Sequence, residues 1–155
     1  MKITSRASDY ALLLLLYLAL LKKDETASVR KIASYHKLST RFLANIANRL
    51  AVSRIIVSHR GVGGGMKLAK APDEIPLREV IEAVDGPIQT MFCQNTHEIC
   101  CHEFLCQMKK FWDSLQGDVI SKLNRTTIGD LAHVPTPGSG EPGKMRTGMF
   151  EATAV

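Results

Sequence analysis

STRFLANIANRLAVSRIIVSHRGVGGGMKLA, residues 39–69, carries two periodicities in succession. In the first half Leu43, Ile46, Ala47 and Leu50 recur at helical spacing, and Arg41, Asn45, Asn48 and Arg49 fall on other faces. Ser39, just ahead of this run, has the side chain of a helix cap. In the second half two short β-type runs, around Ile55 to Ser58 and Met66 to Ala69, flank the glycine-rich HRGVGGG. Such a pair predicts a hairpin. A capped helix feeding a thin hairpin is the reading end of a winged helix-turn-helix.

The stretch before it supplies the missing helices. Residues 4–22 predict a helix that is apolar nearly all round and therefore central. Ser28 caps a second short helix, VRKIASYH, with Val29, Ile32 and Ala33 on one face. The apolar run at residues 11–21 is too short to span a membrane. Asp9 at its edge, and KKDET after it with no small-residue cleavage pattern, favour a core helix over a signal peptide. The expected location is thus cytoplasmic, with no membrane partner. In that reducing compartment clustered cysteines seldom form a disulfide framework.

Charge divides the same way. Residues 1–72 carry 13 Lys or Arg against 3 Asp or Glu, a balance of +10, whereas residues 73–155 carry 7 against 12. The basic half is the candidate surface for a polyanion. Within it Arg41 suits guanine and Asn45 adenine, one turn apart near the start of the recognition helix. Ser39 and Thr40 can reach phosphate, Arg49 lies further along the helix, and Arg60 stands at the entry to the wing tip. The polar outer face of an ordinary amphipathic helix would read alike; the adjoining wing favours DNA. No GxxxxGK(S/T) or GxGxxG pattern is completed, so the glycines do not suggest a nucleotide site.

Beyond residue 72, LREVIEAVDG predicts a short helix ended by Gly86. Residues 103–123 predict a long helix whose stripe of Phe104, Met108, Phe111, Trp112, Leu115, Val119 and Leu123 can cover its own domain or a second subunit. TTIGDLAH adds a last helical turn or two, and from Pro135 a tail rich in Pro, Gly and Ser is expected to be disordered. The expected division is a DNA-binding domain over 1–72, a cofactor loop and dimerisation helix over 73–133, and a tail over 134–155. The fold class is mainly α: a winged helix-turn-helix with a two-stranded β wing plus a long C-terminal dimerisation helix.

Between the two later helices lies CQNTHEICCHEFLC, which holds all four cysteines of the chain within residues 93–106. Cys93, Cys100 and Cys106 are spaced too widely for a zinc knuckle, and thiolates suit an iron–sulfur cluster of two or four irons. A Cys₃His zinc site and metal-free redox thiols remain as alternatives. Three thiolates leave one ligand position open, with His97, Glu98, His102 and Glu103 near in sequence and Asp9 a candidate in space. His36, His59 and His133 read as surface or core residues. No nucleophile has a matched base, so an enzyme is not expected.

The chain resembles the IscR/NsrR-type regulators, the Rrf-two family of winged-helix transcription factors. The resemblance runs from Met1 to about His133, on MKITSRASDYAL, on SHRGVGGGMKLAKAPDEIPLREVIEAVDGP and on the three spaced cysteines. It implies a homodimer with crossing long helices, an imperfect palindromic operator in double-stranded DNA, and a cluster held by Cys93, Cys100 and Cys106. In nitric-oxide-sensing members an acidic residue of the partner's first helix completes the site, which here is Asp9. In the regulator of cluster biogenesis a histidine three residues after the last cysteine does so; here that position is Lys109. Two further departures are Ala44, where some members carry an acidic or amide residue in the recognition helix, and Arg54, where a glycine is usual before the first wing strand. The rival functions are a thiol-sensing winged-helix regulator without metal and a cluster-binding redox protein with no DNA role.

Overall fold

The computed structural model describes residues 4–22, 25–59, 64–91 and 106–133. In chain order they form α1 (Arg6–Ala19), α2 (Val29–Tyr35), α3 (Thr40–Val52), β1 (Ile56–His59), β2 (Gly65–Leu68), a 3-10 turn (Pro72–Glu74), α4 (Leu77–Asp85), α5 (Lys109–Arg125) and α6 (Ile128–Ala132). This is the expected mainly α winged helix-turn-helix with a two-stranded wing and a long later helix. The segment expected to be a disordered tail, residues 134–155, lies outside the described residues.

The apolar run forms the central helix. α1 packs on α3, α4, α6 and β2, and buries Ala11, Leu14, Leu15 and Leu18. Ser5 starts it: its Oγ accepts from the amides of Ala7 at 3.0 Å and Ser8 at 3.4 Å, satisfying donors that the first turn leaves open. One continuous core joins α1, α2, α3 and the wing to Ile75, Val80 and Val84 and to Ile128 of α6. This core includes residues on both sides of residue 72.

Two helix ends share one device. After α2 the amide of Leu38 bonds the Ala33 carbonyl at 2.8 Å and that of Lys37 the Ser34 carbonyl at 3.3 Å. After α3 Ile55 bonds Leu50 at 2.9 Å and Arg54 bonds Ala51 at 3.0 Å. Both are Schellman closures, which need a left-handed residue. The residues supplying it are Lys37, with φ of 55°, and Arg54, with φ of 58°. The glycine usual at the second position thus has a geometric reason, and here a cation occupies the less favourable conformation.

The wing pairs β1 with β2 antiparallel, Ile56 opposite Leu68 and His59 opposite Gly65. Ala27, between α1 and α2, adds a bridge to Met66 with bonds of 3.1 and 2.9 Å. Gly65 is required by this approach, since a Cβ there would lie 2.9 Å from Thr26 Oγ1 and 3.0 Å from the Ala27 carbonyl.

α5 begins at Lys109 within the expected 103–123 helix and runs on to Arg125; the start of the expected helix lies outside the described residues. α6 returns the chain to the head. Ile128 N–H bonds Ile75 O at 2.9 Å, Leu77 N–H bonds Thr126 O at 2.9 Å, and Gly129 sits against Asp73 so closely that a Cβ would overlap its carboxylate.

Candidate nucleic-acid interface and cysteine segment

α3 owes its orientation to its apolar side. Leu43, Ile46, Ala47 and Leu50 are buried against α1, α2 and α4, which turns the opposite face outward. On that face Arg41, Ala44, Asn45 and Asn48 follow one another at i, i+3, i+4 and i+7, and all are exposed. Among the described residues their side chains make no hydrogen bond or ion pair. Thr40 is exposed at the helix start, and the Ser39 hydroxyl caps it by accepting from Phe42 N–H at 3.4 Å.

Arg49 behaves differently from the rest of the predicted set. Its Nη1 donates to the carbonyl of Val84 at the end of α4, and its charge acts on Asp85. Arg49 lies one residue off the open stripe and braces α3 against α4. Arg60, the predicted wing contact, falls outside the described residues. Sequence reasoning named Asn48 only as lying off the apolar face, yet it stands in line with Arg41 and Asn45. The seven-residue spacing from Arg41 was the available signal. It also passed over Lys37, exposed two residues ahead of the Ser39 cap.

Asp85 joins the same corner. Burial pushes its carboxyl up, but hydrogen bonds from Ser5 and Ser8 and the nearby Arg49 outweigh this and hold it below the usual carboxylate value. The bonds are Ser5 N–H at 2.8 Å, Ser5 Oγ at 2.5 Å and Ser8 Oγ at 2.7 Å. The first turn of α1, which carries Asp9, is thereby tied to the last turn of α4. Asp9 itself is exposed. From Asp85 the chain passes Gly86 in a left-handed turn (φ 84°) and buries Ile88 and Thr90. Thr90 is held by Gln116 of α5, its amide and hydroxyl donating to Oε1 at 3.1 and 3.3 Å.

Of the predicted thiolate ligands, Cys93 and Cys100 lie outside the described residues, as does Cys101. Cys106 is half-buried and unpaired, three residues ahead of α5. Among the described residues no group of three His, Cys, Asp or Glu side chains converges to hold a metal. Cys106 is a soft thiol donor and Asp9, on another element, is an exposed carboxylate. α5 buries none of its residues within one chain, and Met108 and Phe111 are more than 60% exposed. Among the described residues no helix is long and apolar enough to cross a membrane.

Comparison with known proteins agrees with this geometry. A family model described as Rrf2, iron-dependent transcriptional regulator, matches residues 4–134. The regulator NsrR of Halalkalibacterium halodurans is 33% identical over 133 residues, covering 84% of this chain and 90% of that protein. The regulator IscR of Aliivibrio salmonicida is 30% identical over 131 residues, covering 84% and 77%. Among solved structures, CymR, the global cysteine regulator of B. subtilis, superposes with a TM-score of 0.72 at 27% identity, over 85% of this chain and 97% of its own. The exposed recognition face, the wing and these relatives lead to one conclusion: the chain belongs to the Rrf2 family of transcriptional regulators.

Proposed function

We propose that the chain is a homodimeric repressor or activator of transcription in the cytoplasm, whose hold on an imperfect palindromic operator is switched by an iron–sulfur cluster. In this reading residues 1–72 read DNA, and residues 73–133 supply the cluster segment and the dimerisation helix. The observation that carries it is the position of Cys106. This free, half-buried thiol precedes a helix that buries none of its own residues in one chain. A helix with so much open apolar surface calls for a second subunit, and a group bound at its head would act on that interface.

Cys93, Cys100 and Cys106 would hold the cluster, with Asp9 of the second subunit as the remaining ligand. When bound, the cluster supplies a reactive iron centre that nitric oxide, oxidants or iron shortage can alter. The chain's own residues do the rest. Asp85 ties the Asp9 end of α1 to α4, Arg49 ties α4 to the recognition helix, and Gln116 ties the segment after α4 to α5. A ligand shifts such an equilibrium only by its different affinity for two arrangements. Arg41 and Asn45 would contact bases; Ser39, Thr40 and Arg60 would contact phosphates.

The likeness to a global cysteine regulator favours one second reading, a thiol sensor without metal. Oxygen-free preparation with absorption, iron and sulfide analysis, followed by nitric oxide, separates them. A coloured protein with matched iron and sulfide that bleaches with nitric oxide supports the cluster; a colourless, iron-free protein with reversible disulfides supports the thiol sensor.

A further inference from the structure

We infer that α3 reads a half-site of one guanine followed by A·T pairs, and that Asn48 is a second adenine-reading residue with Ala44 against a thymine methyl. This rests on the reading of α3 as the recognition helix.

The open stripe of α3 is Arg41, Ala44, Asn45 and Asn48. Asparagine is a poor residue for a helix interior, because its amide competes for backbone groups. Among the described residues neither Asn45 nor Asn48 makes such a bond, and neither hydrogen-bonds another side chain. Folding therefore gives no reason for two asparagines, one turn apart, on an outward face. A merely solvated face would carry the Lys and Glu pairs that stabilise a helix. α3 contains no acidic residue, and Arg41 is the only cation in its stripe.

Base edges supply the missing reason. Asn bonds adenine N6 and N7 bidentately, Arg bonds guanine O6 and N7, and an alanine methyl packs on the methyl of thymine. From Arg41 to Asn48 the helix rises about 10 Å at 1.5 Å per residue. That distance spans about three base steps of 3.4 Å, so the four side chains meet neighbouring pairs. The cations Lys37 and Arg54 stand at the two ends of α3 and outside the stripe, where phosphates would lie.

The test is selection from randomised duplexes with the full-length dimer, for the parent chain and for Asn48→Ala, with thermal melting as a folding control. The expected result for the parent is a palindrome whose half-sites hold one G·C pair beside A·T pairs. Asn48→Ala should melt no lower than the parent and lose adenine preference at a single position per half-site, by about tenfold or more, while still binding unrelated DNA. A sequence-specific parent whose half-sites are G·C-rich, or whose preferences survive Asn48→Ala intact, overturns this inference alone. A parent chain that selects no sequence overturns both it and the reading of α3.

Discussion

Arg49 of α3 donates a guanidinium N–H to the carbonyl oxygen of Val84, the penultimate residue of α4. The bond fixes the outward angle of α3 from behind, at the corner where Asp85 also gathers Ser5 and Ser8. Arg49→Ala should therefore lower stability by about 1.5–3 kcal/mol, the loss expected for a charged hydrogen bond with its acceptor left unpaired. Urea unfolding measures this. Arg41→Ala, on the open face, should leave the midpoint unchanged and weaken operator binding. Equal effects of the two substitutions on stability would show that Arg49 does not brace the helix.

Arg54 tests the backbone. A non-glycine residue in the left-handed region is less favourable by about 1–2 kcal/mol, part of which glycine returns through its freer unfolded chain. Arg54→Gly should therefore be more stable than Arg54→Ala by about 1 kcal/mol. The two remove the same charge, so the difference in unfolding free energy isolates conformation. No difference would mean that the turn relaxes.

Gly65 tests the seat of the wing. A methyl group there meets the Thr26 hydroxyl and the Ala27 carbonyl at 3.0 Å or less. Gly65→Ala should cost about 1–3 kcal/mol by overpacking and, by displacing the wing, weaken binding to all duplexes alike. Unfolding curves and binding to operator and unrelated DNA check both parts.

His36 gives a pH dependence. Burial lowers its pKa from 6.5, its Nε2 has no hydrogen-bond partner among the described residues, and its ring stands edge-on to Tyr17 and Tyr35. The unfolded chain takes up the proton first. Stability is thus undiminished above pH 6.5, and falls as pH drops below that value until the folded state also protonates. His36→Phe should flatten this stretch of the stability profile. An unchanged slope in the variant would assign the loss to other groups.

The parts of this molecule that were legible in its sequence are local ones. The Ser28 and Ser39 caps, the buried face of α3 and the hairpin each depend on residues a few positions apart, and each forms as expected. Arg49 was legible only as an exposed cation, because its acceptor arrives 35 residues later on a helix whose packing no local pattern specifies. α6 was likewise readable as a turn of helix, but the fit of Gly129 against Asp73 and the burial of Ile128 arise from chain return. For the cysteines, residue type and spacing gave a class of ligand, and the resemblance gave the set; Cys106 is the member whose surroundings are described.

The most direct measurement is operator affinity of the oxygen-free dimer before and after its cluster is destroyed, with iron counted in both states and a Cys93→Ala/Cys100→Ala/Cys106→Ala chain alongside. The parent should carry bound iron and show an affinity that changes by about 5- to 150-fold, the usual range for coupled sites. The triple variant should match the cluster-free state. Iron-free parent protein, or an affinity that is the same in all three preparations, would contradict it.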